Sequence, residues 1–342
     1  MTTKSMPSRQ GATTVVSLSE TNQKLKELTT TCTRYNITYT MPKQPSFIII
    51  GTQKGGTSAI SSLLDHHPWL VASRYFEPHF FDFFNSELLH YRTRLDEPEV
   101  VCKLLREYLA INFKVKTLQQ YPNLMAYEKT PSYILTPNAP KRIKTIVPWA
   151  KIIVTLRNPV DRLLSQYKMT YARKWENRTF AETIAEDINV MRHYGYWIPT
   201  PAAHNDPFNT TNLSTPRGRA LRKYRTEGML YRGMYSRQLL PWLEYYTLHK
   251  DLHVVKYEEL QENPARVLTE LLDFVGAPRY DFPDDVLNKS YSPGRKSWRT
   301  NVTLDVTQEG IDYLKTYYAP YNDELADMLG DEKWRWSEDR QR

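Results

Sequence analysis

The sequence predicts an α/β layer fold, a central mainly parallel sheet flanked by helices. Three observations carry that expectation: short apolar runs, helical-period segments between them, and a glycine-bearing turn directly after the first run. The first run is Phe47, Ile48, Ile49 and Ile50, bounded by Pro45 and Gly51, and it reads as a buried strand. Residues 58–67 place Ile60, Leu63 and Leu64 at helical spacing, and Pro68 closes that helix. Further strands are expected at 124–127, 151–156 and 252–255. Helices are expected at 98–109, 139–146, 160–172, 180–191, 233–248, 264–275 and 308–318.

Residues 1–44 are rich in Thr, Ser and Gln and read as a flexible tail or stem, with a short helix at 19–28. Residues 45–342 read as one domain. Within it, 197–216 is polar, holds four prolines and reads as a long loop, and 290–303 is a second irregular segment, basic in its middle.

The chain has 342 residues, 40% of them hydrophobic and 25% charged, which excludes a mainly disordered protein. A net charge of +8 suits an anionic ligand without saying which one. Two cysteines, Cys32 and Cys102, exclude a disulfide framework and a Cys-rich zinc module. One bridge between them is conceivable, and two free thiols is the reading preferred from sequence. No stretch approaches the roughly 18 apolar residues of a membrane span, and no signal-peptide core is visible. Six Asn-x-Ser/Thr acceptors, at Asn36, Asn177, Asn209, Asn212, Asn288 and Asn301, nevertheless exceed the roughly two that chance would supply. That excess argues for a secretory-pathway lumen, while the absent signal leaves a cytosolic setting open.

The strongest local motif is Gly51-Thr52-Gln53-Lys54-Gly55-Gly56-Thr57-Ser58, between a strand and a helix. Glycines let the backbone turn N–H groups inward, the helix start adds positive potential, and Lys54 adds a mobile charge. Thr57 and Ser58 add hydroxyls, and together these make a phosphate cradle. The order differs from a Walker A loop, which ends in Gly-Lys-Ser/Thr. A Gly-rich turn without a ligand is the bland alternative. Downstream, Arg157 follows the 151–156 strand and Pro159 starts a helix, so a guanidinium stands at the carboxyl edge of the sheet, where α/β folds bind ligands. Ser165 lies eight residues on, about two helical turns, on a similar face. An Arg with a hydroxyl holds phosphate by charge-assisted hydrogen bonds. The bland reading of Arg157 is a surface residue paired with Asp161.

These motifs resemble the sulfotransferase superfamily, whose donor is 3′-phosphoadenosine 5′-phosphosulfate (PAPS). Two more segments resemble its heparan sulfate branch: Glu77-Pro78-His79-Phe80-Phe81-Asp82, and Glu128-Lys129-Thr130-Pro131-Ser132-Tyr133. Arg232-Gly233-Met234-Tyr235, leading into Trp242 and Leu243, echoes a third. The resemblance runs from about Pro45 to Tyr318. It implies a P-loop-like sulfotransferase fold and a donor site made of Lys54, Gly55, Gly56, Thr57, Ser58, Arg157 and Ser165. It also implies Glu77 as general base, Lys54 at the leaving oxygen and Lys129 near the sulfuryl group and the base. Metal is not required, since lysines supply the electrostatics. His79 is expected to be a packed, hydrogen-bonded residue before a catalyst. His249 and His253 are four apart, but the second falls in a strand, so no zinc pair is expected.

A late loop with Gly294, Arg295 and Lys296 resembles the branch's segment over the donor's 3′-phosphate, although Pro293 stands where the family has Lys. Ser58 replaces the Arg that 3-O-acting members place after the loop threonine, and the cysteine pair flanking the late loop in several members is absent. The expected acceptor is a carbohydrate hydroxyl or amine, with a sterol or other small alcohol as the alternative and no nucleic-acid partner. A P-loop kinase or NTPase is opposed by the Lys-Gly-Gly order and the lack of a Walker B-like acid. A non-catalytic nucleotide-binding protein is opposed by the intact Lys54, Glu77 and Lys129.

Overall fold

The computed structural model describes residue 32 and residues 44–82, 94–193, 228–288 and 305–337. The expected helix at 19–28, the loops at 197–216 and 290–303, and with them Gly294, Arg295 and Lys296, lie outside the described residues.

Five strands form one sheet, with every pairing parallel: β1 (Phe47–Gly51), β2 (Leu70–Ala72), β3 (Met125–Lys129), β4 (Lys151–Leu156) and β5 (Leu252–Lys256), in the order β2-β3-β1-β4-β5. The central strand explains the layering. Side chains alternate across a strand, so Ile48 and Ile50 enter the core on one face, while Phe47 and Ile49 enter the core on the other. Both faces are therefore apolar, which is why β1 reads as an unbroken hydrophobic run. β4 repeats the pattern, with Ile152, Val154 and Leu156 on the first face and Ile153 on the second.

The larger core is closed by α2 (Pro98–Asn112), α4 (Ala139–Ile146), α5 (Pro159–Ala172), α6 (Phe180–His193), α7 (Tyr235–Leu243) and α11 (Gln308–Leu329). The smaller one is closed by α1 (Thr57–Leu64), α8 (Tyr257–Glu262), α9 (Pro264–Val275) and α10 (Asp284–Leu287). A short α3 (Val115–Gln120) leads into β3. Sequence signals and local structure agree closely where a cap is present. Asn158 accepts from the Val160 N–H before Pro159, Asn263 accepts from the Arg266 N–H before Pro264, and Gly276 ends α9 in the left-handed conformation.

Three elements differ from the expectation. β2 was not expected, because three residues with only Leu70 buried make too short a pattern to read. The helix expected to end near 318 runs to Leu329 through Pro320, because Tyr321, Leu325, Ala326 and Leu329 continue the buried stripe and outweigh the missing N–H. The helix expected at 233–248 is shorter, preceded by a 3₁₀ turn at Tyr231–Gly233 and ending at Leu243.

The preference for free thiols is corrected. Cys32 and Cys102 form a disulfide, with Cα atoms 5.3 Å apart and both residues buried. A spacing of 70 residues carries no sign of such an approach; only the packing of Cys102 on α2 brings the sulfurs together. Closing a loop of that length removes chain entropy worth about 4 kcal/mol from the unfolded state in the entropic account. Cys102→Ser is expected to lower the unfolding free energy by about 2–4 kcal/mol in urea titrations, and reductant should reproduce the loss in the native sequence but not in the variant.

Candidate functional site

Because β3, β1 and β4 are adjacent and parallel, their carboxyl ends open on one edge of the sheet, and the chain crosses from one side of β1 to the other there. Lys129 ends β3, Thr52–Gly56 follow β1, and Arg157 follows β4.

The loop after β1 is fixed by its own backbone. The Thr52 N–H donates to the Thr155 carbonyl at 2.9 Å, the Gly55 N–H donates to the Thr52 carbonyl at 2.9 Å, and the Thr155 hydroxyl donates to the Gly51 carbonyl at 3.0 Å. A Cβ on Gly55 would lie 2.8 Å from the Thr155 carbonyl oxygen, and one on Gly56 would lie 2.3 Å from the Tyr257 ring. Gly56 has φ +99°, and Lys54 itself has φ +67°, a left-handed conformation that a lysine keeps only when its surroundings impose it. Thr57 is buried at the first position of α1 and Ser58 is half-buried beside it.

Positive charge gathers on this loop. Burial, followed by the charges of Arg157, Arg173 and Arg162, pushes the Lys54 ammonium down to about 8. Arg157 lies with its guanidinium 5.0 Å from the centre of the Tyr257 ring and 3.9 Å from Asp161. Ser165 is half-buried on α5. The structure thus brings Lys54 and Arg157 together, as expected. The charge of Arg162 and Arg173 also acts on Lys54, and Arg232, from the third motif, donates from its guanidinium to the Gln53 side chain at 2.8 Å. The glycine turn and the charge around it make this loop an electropositive cradle suited to an anion.

One strand over lies the acid–base cluster. Lys129 Nζ donates to Glu77 Oε1 at 3.1 Å, and His79 Nε2 is 3.6 Å from Glu77 Oε2. The other imidazole nitrogen, Nδ1, is 2.6 Å from Asp82 Oδ2, which also accepts from the Ser132 hydroxyl at 2.6 Å. Burial alone would push the Glu77 carboxyl up, but the hydrogen bond from His79 and the charge of Lys129 hold it below the usual carboxylate range. Burial likewise opposes charge on His79, yet hydrogen bonds to Asp82 and Glu77 raise it to about 9. Lys129 is almost wholly buried, and burial depresses its ammonium more than Glu77 restores it. Its Nζ lies 3.3 Å from the centre of the Phe76 ring, whose other side is open to solvent.

His79, expected to be a packed, hydrogen-bonded histidine, is half-buried and hydrogen-bonded through Nδ1 to Asp82, while Nε2 faces Glu77 as an ion pair. Glu128, quoted only as part of a motif, is fully buried. Its signal was present in the sequence: a carboxylate directly after the apolar run Met125-Ala126-Tyr127.

Comparisons with known proteins show what the chain is similar to. Residues 44–310 match the family described as "Sulfotransferase domain". The chain is 25% identical to the membrane-associated sulfotransferase kil1 of Dictyostelium discoideum, covering 85% of this chain and 66% of that protein. It is 27% identical to heparan sulfate glucosamine 3-O-sulfotransferase 3A1 of Mus musculus, covering 84% of this chain and 63% of that one. The chain therefore spans just under two thirds of the length of these relatives. Among solved structures, a sulfotransferase from Alicyclobacillus acidocaldarius shares the fold with a TM-score of 0.54 at 21% identity, covering 85% of this chain and 99% of that one.

Two glycines separate the space requirement of the loop from backbone conformation. Gly56 and Gly276 both have positive φ, but a Cβ on Gly276 would meet nothing within 4 Å. Gly276→Ala is expected to cost about 1 kcal/mol in urea unfolding. Gly56→Ala is expected to cost clearly more than that and to displace Tyr257.

Proposed function

The chain belongs to the sulfotransferase family, and on that footing we propose that it moves a sulfuryl group from PAPS to a hydroxyl or amine of a carbohydrate, with Glu77 as general base. The observation that carries this reading is the Lys129–Glu77 pair, 3.1 Å apart, one strand from the cationic glycine loop. An ionised carboxylate and a polyanion cradle on one sheet edge are what in-line transfer needs.

Gly55, Gly56, Thr57 and Ser58 would hold the donor's 5′-phosphosulfate, while Arg157 and Ser165 would hold its 3′-phosphate. Gly294, Arg295 and Lys296 would complete that end. When bound, the donor supplies the sulfuryl group and leaves as 3′,5′-ADP. Glu77 takes the proton of the attacking hydroxyl, Lys129 keeps Glu77 ionised and oriented, and Lys54 neutralises charge on the departing 5′-phosphate oxygen. The mouse relative is named for a heparan sulfate acceptor, which supports a carbohydrate here. So do Tyr75 and Phe76, exposed by 55% and 68% directly before the base, since sugar rings stack on open aromatic faces. The disulfide and the exposed acceptor Asn177 support folding in an oxidising compartment.

Calorimetric titration with 3′,5′-ADP, ADP and ATP tests the donor assignment. Binding should require the 3′-phosphate and weaken at least about tenfold in Arg157→Ala, the loss expected for a charge-assisted contact; equal binding of ATP would sink it. With the donor established, transfer of labelled sulfate to glycan and to small-alcohol acceptors should favour glycans and fall by about 100-fold or more in Glu77→Gln. Phe76→Ala should raise the acceptor KM with little change in that of the donor.

Protonation gives a second test. Lys54 must carry its proton to act at the leaving oxygen, and in the free enzyme it loses that proton as pH rises through about 8. kcat/KM for the donor should therefore decline across that range. Lys54→Arg should react more slowly but keep a flat profile there, because a guanidinium stays charged.

A further inference from the structure

One buried carboxyl takes no part in the mechanism above. Glu128 sits on β3 with no exposed surface, and among the described contacts its partners are hydroxyls. Tyr108 donates to Oε1 at 2.6 Å, Thr130 donates to Oε2 at 3.1 Å, and Tyr133 donates to Oε2 at 3.2 Å. Two of these hydroxyls also accept. The His79 N–H donates to the Thr130 oxygen at 3.4 Å, and the Phe80 and Phe81 N–H groups donate to the Tyr133 oxygen at 2.9 and 3.3 Å.

A hydroxyl has one proton and two lone pairs. An ionised Glu128 only accepts, so it fixes the Thr130 and Tyr133 protons toward itself and leaves their lone pairs facing the three backbone N–H groups. We infer that Glu128 is a positioning residue: through the hydroxyls of Thr130 and Tyr133 it holds residues 79–81, and with them the adjoining Glu77, against the end of β3. Residues 73–82 contain no helix or strand, so these bonds stand in for a ladder. Arg142 adds a bond from α4 to the Phe81 carbonyl at 3.0 Å.

Protonation on Oε2 reverses the direction of the relay. Burial pushes the Glu128 carboxyl up to about 7 despite the three hydroxyl bonds. The ionisable groups facing it are Tyr108 from α2, Tyr133 from the turn after β3, and Asp82 from the base-bearing segment. Burial pushes both phenols far above their usual range, so they keep their protons. Below about 7 the carboxyl carries a proton, and on Oε2 that proton must be donated to the Thr130 or Tyr133 hydroxyl, which then turns its own proton away from Glu128 and toward an N–H donor. On Oε1 it would meet Tyr108, which faces none of these N–H groups.

The catalytic part of this inference rests on Glu77 acting as base; the structural part does not, and two readouts separate them. The first is amide hydrogen exchange across residues 76–82 in the full chain. Exchange should accelerate in Thr130→Val, Tyr133→Phe and Glu128→Gln, but stay native-like in Thr130→Ser, which keeps the hydroxyl. The second is transfer kinetics from pH 5.5 to 8.5, with 3′,5′-ADP affinity as a control. kcat should fall about 10- to 100-fold in Thr130→Val and Tyr133→Phe with donor affinity unchanged. In Glu128→Gln the acid limb near 7 should disappear. Unchanged exchange in folded variants, Thr130→Ser as impaired as Thr130→Val, or donor affinity falling together with kcat would each overturn the relay. Accelerated exchange with unchanged kcat would overturn the catalytic part. Glu77→Gln retaining full activity would instead remove the base while leaving the exchange result standing.

Discussion

Burial of β1 on both faces, between two parallel neighbours, sets the terms for the rest of the molecule. A strand in that position has no free edge and no polar face, so its four consecutive apolar side chains hold it between β3 and β4 in the middle of the sheet. Because its pairing with both neighbours is parallel, the three strand ends fall on one edge. The glycine loop, Lys129 and Arg157 arrive there as a consequence of sheet topology, although they are separated by tens of residues in the chain.

Two carboxylates near that edge illustrate how partners decide ionisation. Glu77 and Glu128 are both withdrawn from water, and withdrawal alone would raise both. Glu77 has an imidazole and an ammonium within reach and is held low; Glu128 has hydroxyl partners and is pushed to about 7. A hydroxyl satisfies a lone pair without supplying charge, so it offsets less of the desolvation. The same reasoning explains Lys54, which burial and the like charge of three guanidiniums lower to about 8, so that it still holds its proton at neutral pH.

The base-bearing segment has no periodic structure of its own and depends on tertiary contacts for its shape. His79 at φ +56° and Lys54 at φ +67° sit on either side of the Lys129 strand end, both in left-handed backbone held by surrounding hydrogen bonds. Conformations of this kind persist where the packed scaffold over-determines them, and here the scaffold is the end of the parallel sheet.

Much of this was legible in the chain. The Phe47–Gly51 run, the Pro and Asn signals before α5 and α9, and the Lys-Gly-Gly-Thr loop are local patterns that burial and capping impose on contiguous residues, so composition and spacing expose them. The pairing of Glu77 with Lys129 was legible only through motif resemblance, since nothing in a 52-residue separation specifies 3.1 Å. Tertiary structure alone decided the Cys32–Cys102 bridge, the edge strand β2, the passage of α11 through Pro320, the guanidinium field around Lys54 and the hydroxyl relay beneath Glu77. Each of these depends on groups far apart in the chain meeting at bonding distance. Such meetings are set by how layers pack, which no local pattern of residues encodes.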